Sequence, residues 1–350
     1  MRARAVGILA ISLVTGLAAA RLAPAAEPAG SEVLDLLQIS GLDRRRLLSG
    51  EIVSYPVSEF SERELAVGLA VFVAAPASRV AEYLTSGQVI ARDAAIAEFG
   101  VVPEPMATEP LPGTPLVKSE RDEAGSLLDV APGTRFNLSA AEMATLRALR
   151  ETTASMAPVA MAEKVWDAYR GLLRQRLQAY QQGGLAALAP YTRGGGVVTD
   201  LATELRLAVA DVDRLGRDGP ELHDTLLRYP AVQPPRLLHR FYWLKRRVQR
   251  RPDLSLLHQI VAAGPGQTVH IERYFYVGHS YNAAQIITGA LTYQDGTVVF
   301  CTSRFSTDEI LGVGNQLKRS IGRTQLRDEM RKRLEGIRAA LTHLPSTESP

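Results

Sequence analysis

The sequence predicts an α+β protein: an antiparallel β-meander closed by a long C-terminal helix, with a large helical region, residues 139–250, between N-terminal strands and the meander. Three observations carry this. Residues 254–305 hold four β-rich runs, "LSLLHQIVAA", "TVHIERYFYVGH", "NAAQIITGALTYQ" and "TVVFCTSRFS", joined through Gly264-Pro265-Gly266, Ser280-Tyr281 and Asp295-Gly296. Asp-Gly between two β-rich runs is a strong hairpin signal. Apolar residues recur at helical spacing through 139–250, and again through 308–341, where Leu317, Ile321, Leu334, Ile337 and Leu341 would face the sheet.

The chain opens with Arg2 and Arg4, a charge-free run over residues 5–20, and small-x-small patterns at Ala18-Ala19-Ala20 and Ala23-Pro24-Ala25. This is the layout of a secretory signal peptide, residues 1–25, cleaved after Ala20 or Ala25. The run is short and alanine-rich for a membrane span. The expectation is an exported protein, periplasmic or secreted, with residues 31–350 forming one α+β domain that carries the helical subdomain 139–250. Loss of Arg2, Arg4 and Arg21 brings the basic count level with the 37 acidic residues. The formal charge of +3 therefore belongs to the leader, and nucleic-acid binding loses its electrostatic basis. The single cysteine, Cys301, excludes an internal disulfide framework. It sits in the apolar run "TVVFCTS" and reads as a buried, inert thiol.

The elements follow in order. Residues 31–49 suggest a short helix, and "GEIVSYPVSEF" is extended. "RELAVGLAVFVAAPASRVAEYLTSG" reads as a strand ended by Pro76, then a helix capped by Ser78. Residues 100–137 are rich in proline and glycine and read as loop. Ser139 and Glu142 form a capping box that opens a helix. A second helix, "MAEKVWDAYRGLLRQRLQAYQQ", stops at Gly183-Gly184. A third covers about 199–215, a fourth follows Pro220, and a fifth covers about 235–250.

The phrases "PGTRFNLSAAEMATLRAL", "AYQQGGLAALAPY", "FYWLKRRVQRRPDLSLLHQIV" and "YFYVGHSYNAAQIITGALTY" resemble an uncharacterised family of exported bacterial proteins, over about residues 125–300. That resemblance implies no established activity. The stretch "LAVGLAVFVAAPASRVAEYL" also looks like the early strand-to-helix step of START-like domains, the helix-grip or polyketide-cyclase-like architecture. A meander closed by a long C-terminal helix is similar to the same architecture. This resemblance implies an apolar pocket beneath the last helix. The long helical region before the meander departs from it and would be an insertion.

Hairpin counting gives candidate site residues. If Ala262 pairs with Thr268, His258 sits opposite Glu272. A two-residue Asp295-Gly296 turn then aligns His258, Glu272, Gly289 and Thr302 in one row. Tyr274, Ile287 and Arg304 run beside it with Tyr276 just beyond, and His270 lies on the other side. His258 and Glu272 read as an acid/base pair, or as a cross-strand pair that only stabilises the sheet. Gly289 would leave room for a ligand, and Arg304 would hold a carboxylate or phosphate head. His279 closes a turn. There is no H-x-x-x-H and no cysteine pair, so no metal is expected. "GHSYN" lacks a nucleophile elbow, and "GVGNQLKRSIG" lacks a phosphate-loop pattern, so no cofactor is expected.

"PRLLHRFYWLKRRVQRRP" is the densest positive segment. As a helix it places Arg240, Arg247 and Arg251 on one side, a surface for weak contact with anionic lipid or an acidic partner, or a solvated face. Three functions fit these readings. The first is binding of a lipid or small amphiphile by His258, Glu272, Tyr274, Tyr276, Arg304 and His270, in a pocket under the last helix. The second is a hydrolase or lyase using His258 with Glu272. The third is an assembly partner in the envelope.

Overall fold

The structure is a computed structural model that describes residues 34–103, 111, 116–210, 212, 215 and 218–342. The expected signal peptide lies outside them. Among the described residues no helix is long and apolar enough to cross a membrane.

Helix α1 (Gly41–Leu48) precedes strands β1 (Val53–Tyr55) and β2 (Glu64–Val73). Two short helices, α2 (Ala77–Thr85) and α3 (Gln88–Ala91), lead into β3 (Ile96–Val102). Helices α4 (Lys118–Leu128), α5 (Ala140–Thr153) and α6 (Pro158–Gly183) follow, then a small hairpin of β4 (Tyr191–Gly194) and β5 (Val197–Thr199). Helices α7 (Leu201–Leu207) and α8 (Gly219–Arg228) complete this layer. The meander is β6 (Leu237–Val248), β7 (Arg251–Gly264), β8 (Gln267–Val277), β9 (Ala283–Tyr293) and β10 (Gly296–Ser306). Helix α9 (Asn315–Thr342) ends the described chain.

Eight strands form one antiparallel sheet in the order β1-β2-β10-β9-β8-β7-β6-β3. The last meander strand thus returns beside β2, and β1 and β3 are the two edges of the sheet. On one face, here the inner face, Leu334, Ile337 and Met330 of α9 pack with Val80 and Leu84 of α2 on Leu257, Ile286, Val299 and Cys301. On the outer face, α4 to α6 cover Phe241, Trp243, Leu256 and Phe275. Leu47, Leu222 and Leu226 cover Ile260, Ile271, Ile287 and Phe300. A sheet covered on both sides buries every position, which is why β8 has no exposed residue.

All four strands expected in 254–305 are present, and the capping box of α5 forms: Ser139 N–H donates to Glu142 Oε2 at 2.7 Å, and Glu142 N–H donates to Ser139 Oγ at 3.3 Å. Arg176 of α6 then donates to both oxygens of Glu142, at 2.5 and 2.6 Å, tying the two helices together. Several expectations are corrected. The fifth helix is strand β6: Phe241 and Trp243 point to the outer layer while Tyr242 and Leu244 point inward, so the expected alternation is hidden by burial on both sides. The helical region is also interrupted by the β4–β5 hairpin, and residues 100–137 hold the end of β3 and all of α4. Pro76, not Ser78, is the N-cap of α2. Of the apolar set on α9, Leu334, Ile337 and Leu341 are buried, but Leu317 and Ile321 are exposed; Leu326 and Met330 take their place.

The register is also corrected. Ala262 pairs with Val269, one residue away from the expected Thr268. His258 therefore faces Arg273, and Gln259 faces Glu272. A one-residue slip moves a side chain to the opposite face, so His258 is outward and Glu272 inward. The β9–β10 turn is Gln294-Asp295, with Tyr293 opposite Gly296 and Thr302 opposite Ile287. The expected row of His258, Glu272, Gly289 and Thr302 does not form. Gly289 does not leave room for a ligand: a Cβ there would lie 2.0 Å from the Phe300 ring, which fills the space.

Candidate functional site

A cleft of about 920 Å³ opens between α9 and the inner face of the sheet. Its floor includes Tyr274, Ile286 and Phe305; α9 contributes Leu326, Met330 and Ile337. Tyr83 and Val89 from α2 and α3 close one side, and Tyr281 and Ile310 another. At one end of the cleft Gly322 of α9 faces Leu65 of β2, where a Cβ would meet the Leu65 Cδ1 methyl at 2.6 Å. Further along, Gly336 lines the cleft and a Cβ there meets nothing.

Three arginines line it, Arg92, Arg246 and Arg333, and the last two reach the sheet side of the cleft. Arg333 of α9 grips Glu272 through both terminal nitrogens, Nη1 at 3.1 Å to Oε2 and Nη2 to Oε1. Burial alone would push Glu272 up, but Arg333 outweighs it and holds the carboxyl below the usual carboxylate range. The Tyr274 hydroxyl donates to the same carboxylate at 3.5 Å. Arg246 of β6 donates to the Tyr281 hydroxyl and lies over the rings of Tyr274 and Tyr281, 5.5 and 5.9 Å from their centres. Burial pushes the Tyr281 phenol up to about 12, against the pull of Arg246, so it stays protonated at neutral pH.

The expected site residues divide between the two faces. Tyr274 lines the cleft. Glu272 lies beneath it, 1% exposed, as the anchor of Arg333. His270 is deeper on the same face: its Nε2 accepts from the Gln259 amide at 2.7 Å, and its Nδ1 is 3.7 Å from Glu272 Oε1. Burial pushes His270 down to about 4, despite Glu272, so it is neutral at pH 7 and Arg333 is the cation in contact with the carboxylate. His258, Tyr276 and Arg304 lie elsewhere. His258 is wholly buried under the helical layer, with Nδ1 3.1 Å from the Tyr180 hydroxyl and Nε2 2.9 Å from His239 Nδ1. Burial, then His239 and Arg273, push its pKa well down. Tyr276 is re-aimed by a β-bulge opposite Leu256 and Leu257, and its hydroxyl meets that of Tyr169 at 2.7 Å. Arg304 donates to Glu64 Oε1 at 3.0 Å and to the Ser58 carbonyl at 2.8 Å, behind the sheet from the cleft. The His258–Glu272 acid/base pair is therefore excluded by geometry, since the two residues occupy opposite faces.

His279 closes its turn, Nδ1 against Ser280 Oγ at 2.6 Å and Nε2 against the Pro252 carbonyl at 3.2 Å. Cys301 is buried, and burial raises its thiol pKa. Among the described residues no group of three or more His, Cys, Asp or Glu is placed to hold a metal. The arginines of the basic segment do not share a helix face, because the segment is a strand. Arg240 donates to the Thr85 carbonyl at 2.8 Å, Arg251 pairs with Glu123, and Arg247 is exposed. Sequence reasoning missed Arg246, Tyr281 and Arg333. Arg246 shares strand parity with Tyr242 and Leu244, a signal that is readable once β6 is taken as a strand.

No family model matches the chain, and no curated protein matches it. Among solved structures it is similar to the crystal structure of Ara h 8.0201, at 12% identity over 40% of this chain and 91% of that one, with a TM-score of 0.21.

Proposed function

We propose that the chain is a helix-grip, START-like binding protein whose cleft under α9 takes a small apolar or amphipathic molecule without chemically altering it. The observation that carries this is the cleft of about 920 Å³, about half of whose wall is apolar and aromatic side chains, with eight charged residues also lining it. That size falls within the range that small-molecule sites use, and the apolar half of the wall suits an amphipathic rather than a purely apolar ligand. The order of elements supports the same reading: a strand leading into two short helices, a meander returning beside that strand, and a long closing helix. The segment between β3 and β6 is then an insertion that covers the outer face. Export through a leader over residues 1–25 is part of this reading, and a mature N-terminus that starts after Ala20 or Ala25 is the expected product.

The test is native mass spectrometry of the protein purified gently from its own host, followed by denaturing extraction. A bound lipid or small amphiphile at one per chain is the expected result. A chain that is empty, and that also takes up no amphiphile when one is added, overturns the proposal.

A further inference from the structure

Arg246 and Arg333 both line the cleft but differ in how their charge is answered. Arg333 has Glu272, held bidentate. Arg246 has no carboxylate within ion-pair distance among the described residues, only the Tyr281 hydroxyl and two aromatic faces, and its Nε is buried without an acceptor. Two acids act on it from further off: Asp253, opposite Arg246 on β7, whose Oδ1 accepts from the Gly278 and His279 N–H groups and whose Oδ2 accepts from Ser255, and Asp93 on the cleft wall, whose Oδ1 accepts from the Ala95 N–H at 2.8 Å. Arg246 is half-buried and has no ion-pair partner in contact among the described residues, so an anion entering the cleft would meet a partly desolvated cation. Of the other charged groups lining the cleft, Glu329 pairs with Lys332 at 3.0 Å, while Arg92 donates to Gln88 and Lys318 to the Leu311 carbonyl; Glu309 also lines it.

Resting on the binding reading above, we propose that the ligand is an amphiphile with a single anionic head, a carboxylate or a phosphate monoester, received by Arg246 and Tyr281. The guanidinium supplies a planar charged donor set for the head. The Tyr281 oxygen already accepts from Arg246, which leaves its own hydrogen to donate to the anion. From there the apolar tail runs between Ile286 and Phe305 on the sheet and Leu326, Met330 and Ile337 on α9. The head is held by a residue of the sheet, so its position does not depend on movement of the helix.

The experiment titrates the full chain with laurate, dodecyl phosphate and dodecanol, in the wild type and in Arg246→Gln, Arg246→Lys and Gly336→Phe. At least one anion should bind tenfold or more tighter than dodecanol, and the tighter anion identifies the head. Arg246→Gln should bring that anion to within about threefold of dodecanol without changing dodecanol itself, while Arg246→Lys keeps most of the preference. Gly336→Phe, at a position with open space beside it, should weaken all three. Equal binding of all three that is still weakened by Gly336→Phe overturns the anionic head but leaves the cleft standing. A preference that survives Arg246→Gln overturns the role of Arg246. Absence of binding, or binding indifferent to Gly336→Phe, overturns the cleft itself and this inference with it.

Discussion

Glu272 is 1% exposed and survives there as an anion because Arg333 reaches it from α9. Replacing it with glutamine leaves Arg333 without a counter-charge in a nearly closed site. Breaking a buried pair in this way costs about 3–5 kcal/mol, so Glu272→Gln should lower the urea midpoint strongly. Glu272→Gln combined with Arg333→Met should recover much of the loss; a double variant no better than the single one would contradict the pairing. His270 beside it gives a pH prediction. It is held neutral, down to about 4 in the folded state, while an unfolded histidine titrates near 6.5. The unfolded chain therefore binds the extra proton first as pH falls. Stability is full above about 6.5 and is lost progressively towards 4, by on the order of 3 kcal/mol. His270→Gln should flatten that slope in a series of urea melts, and an unchanged slope would sink the assignment.

At the scale of elements, what could be read in advance depended on whether a segment had a wet side. The four meander strands were legible from β-branched and aromatic runs with turn residues between them, and α5 from its capping box. Strand β6 was not, because Phe241, Tyr242, Trp243 and Leu244 are all buried and Leu237, Phe241, Leu244 and Val248 happen to fall at helical spacing. Register failed for a similar reason. A hairpin with both faces buried offers no polar side to fix parity, and one residue of slip sent His258 to the opposite face from Glu272. Of the expected site, only Tyr274 was brought to the cleft, with Glu272 and His270 beneath it. Two glycines test the packing. Gly289→Val should destabilise the sheet by about 1–3 kcal/mol through overpacking against Phe300. Gly336→Ala meets nothing and removes a flexible residue from α9, so it should gain about 0.5–1 kcal/mol. Both are read from chemical denaturation, and the opposite sign in either would contradict the packing described.

For the whole molecule, the helical layer is the reason the outer face of the sheet can be apolar. Phe241, Phe275, Ile260, Ile271 and Phe300 are shielded only by segments outside the meander. Val102 at the end of β3 pairs with Phe241 near the start of β6, so a short linker can join the two strands in place of residues 103–236. That shortened chain should aggregate, because it uncovers a large apolar patch. A soluble, cooperatively folding product would show that the layer is dispensable. The molecule then has one covered face and one face with a cleft, and the central claim concerns which of them receives a ligand. Methyl NMR of the full chain titrated with laurate or dodecyl phosphate tests this most directly. The expected result is shifts at Ile286, Ile310, Leu326, Met330 and Ile337, which line the cleft, with Ile260, Ile271 and Ile287 unmoved behind the sheet. Shifts centred on Ile260, Ile271 and Ile287, or none at any of these methyls, would contradict it.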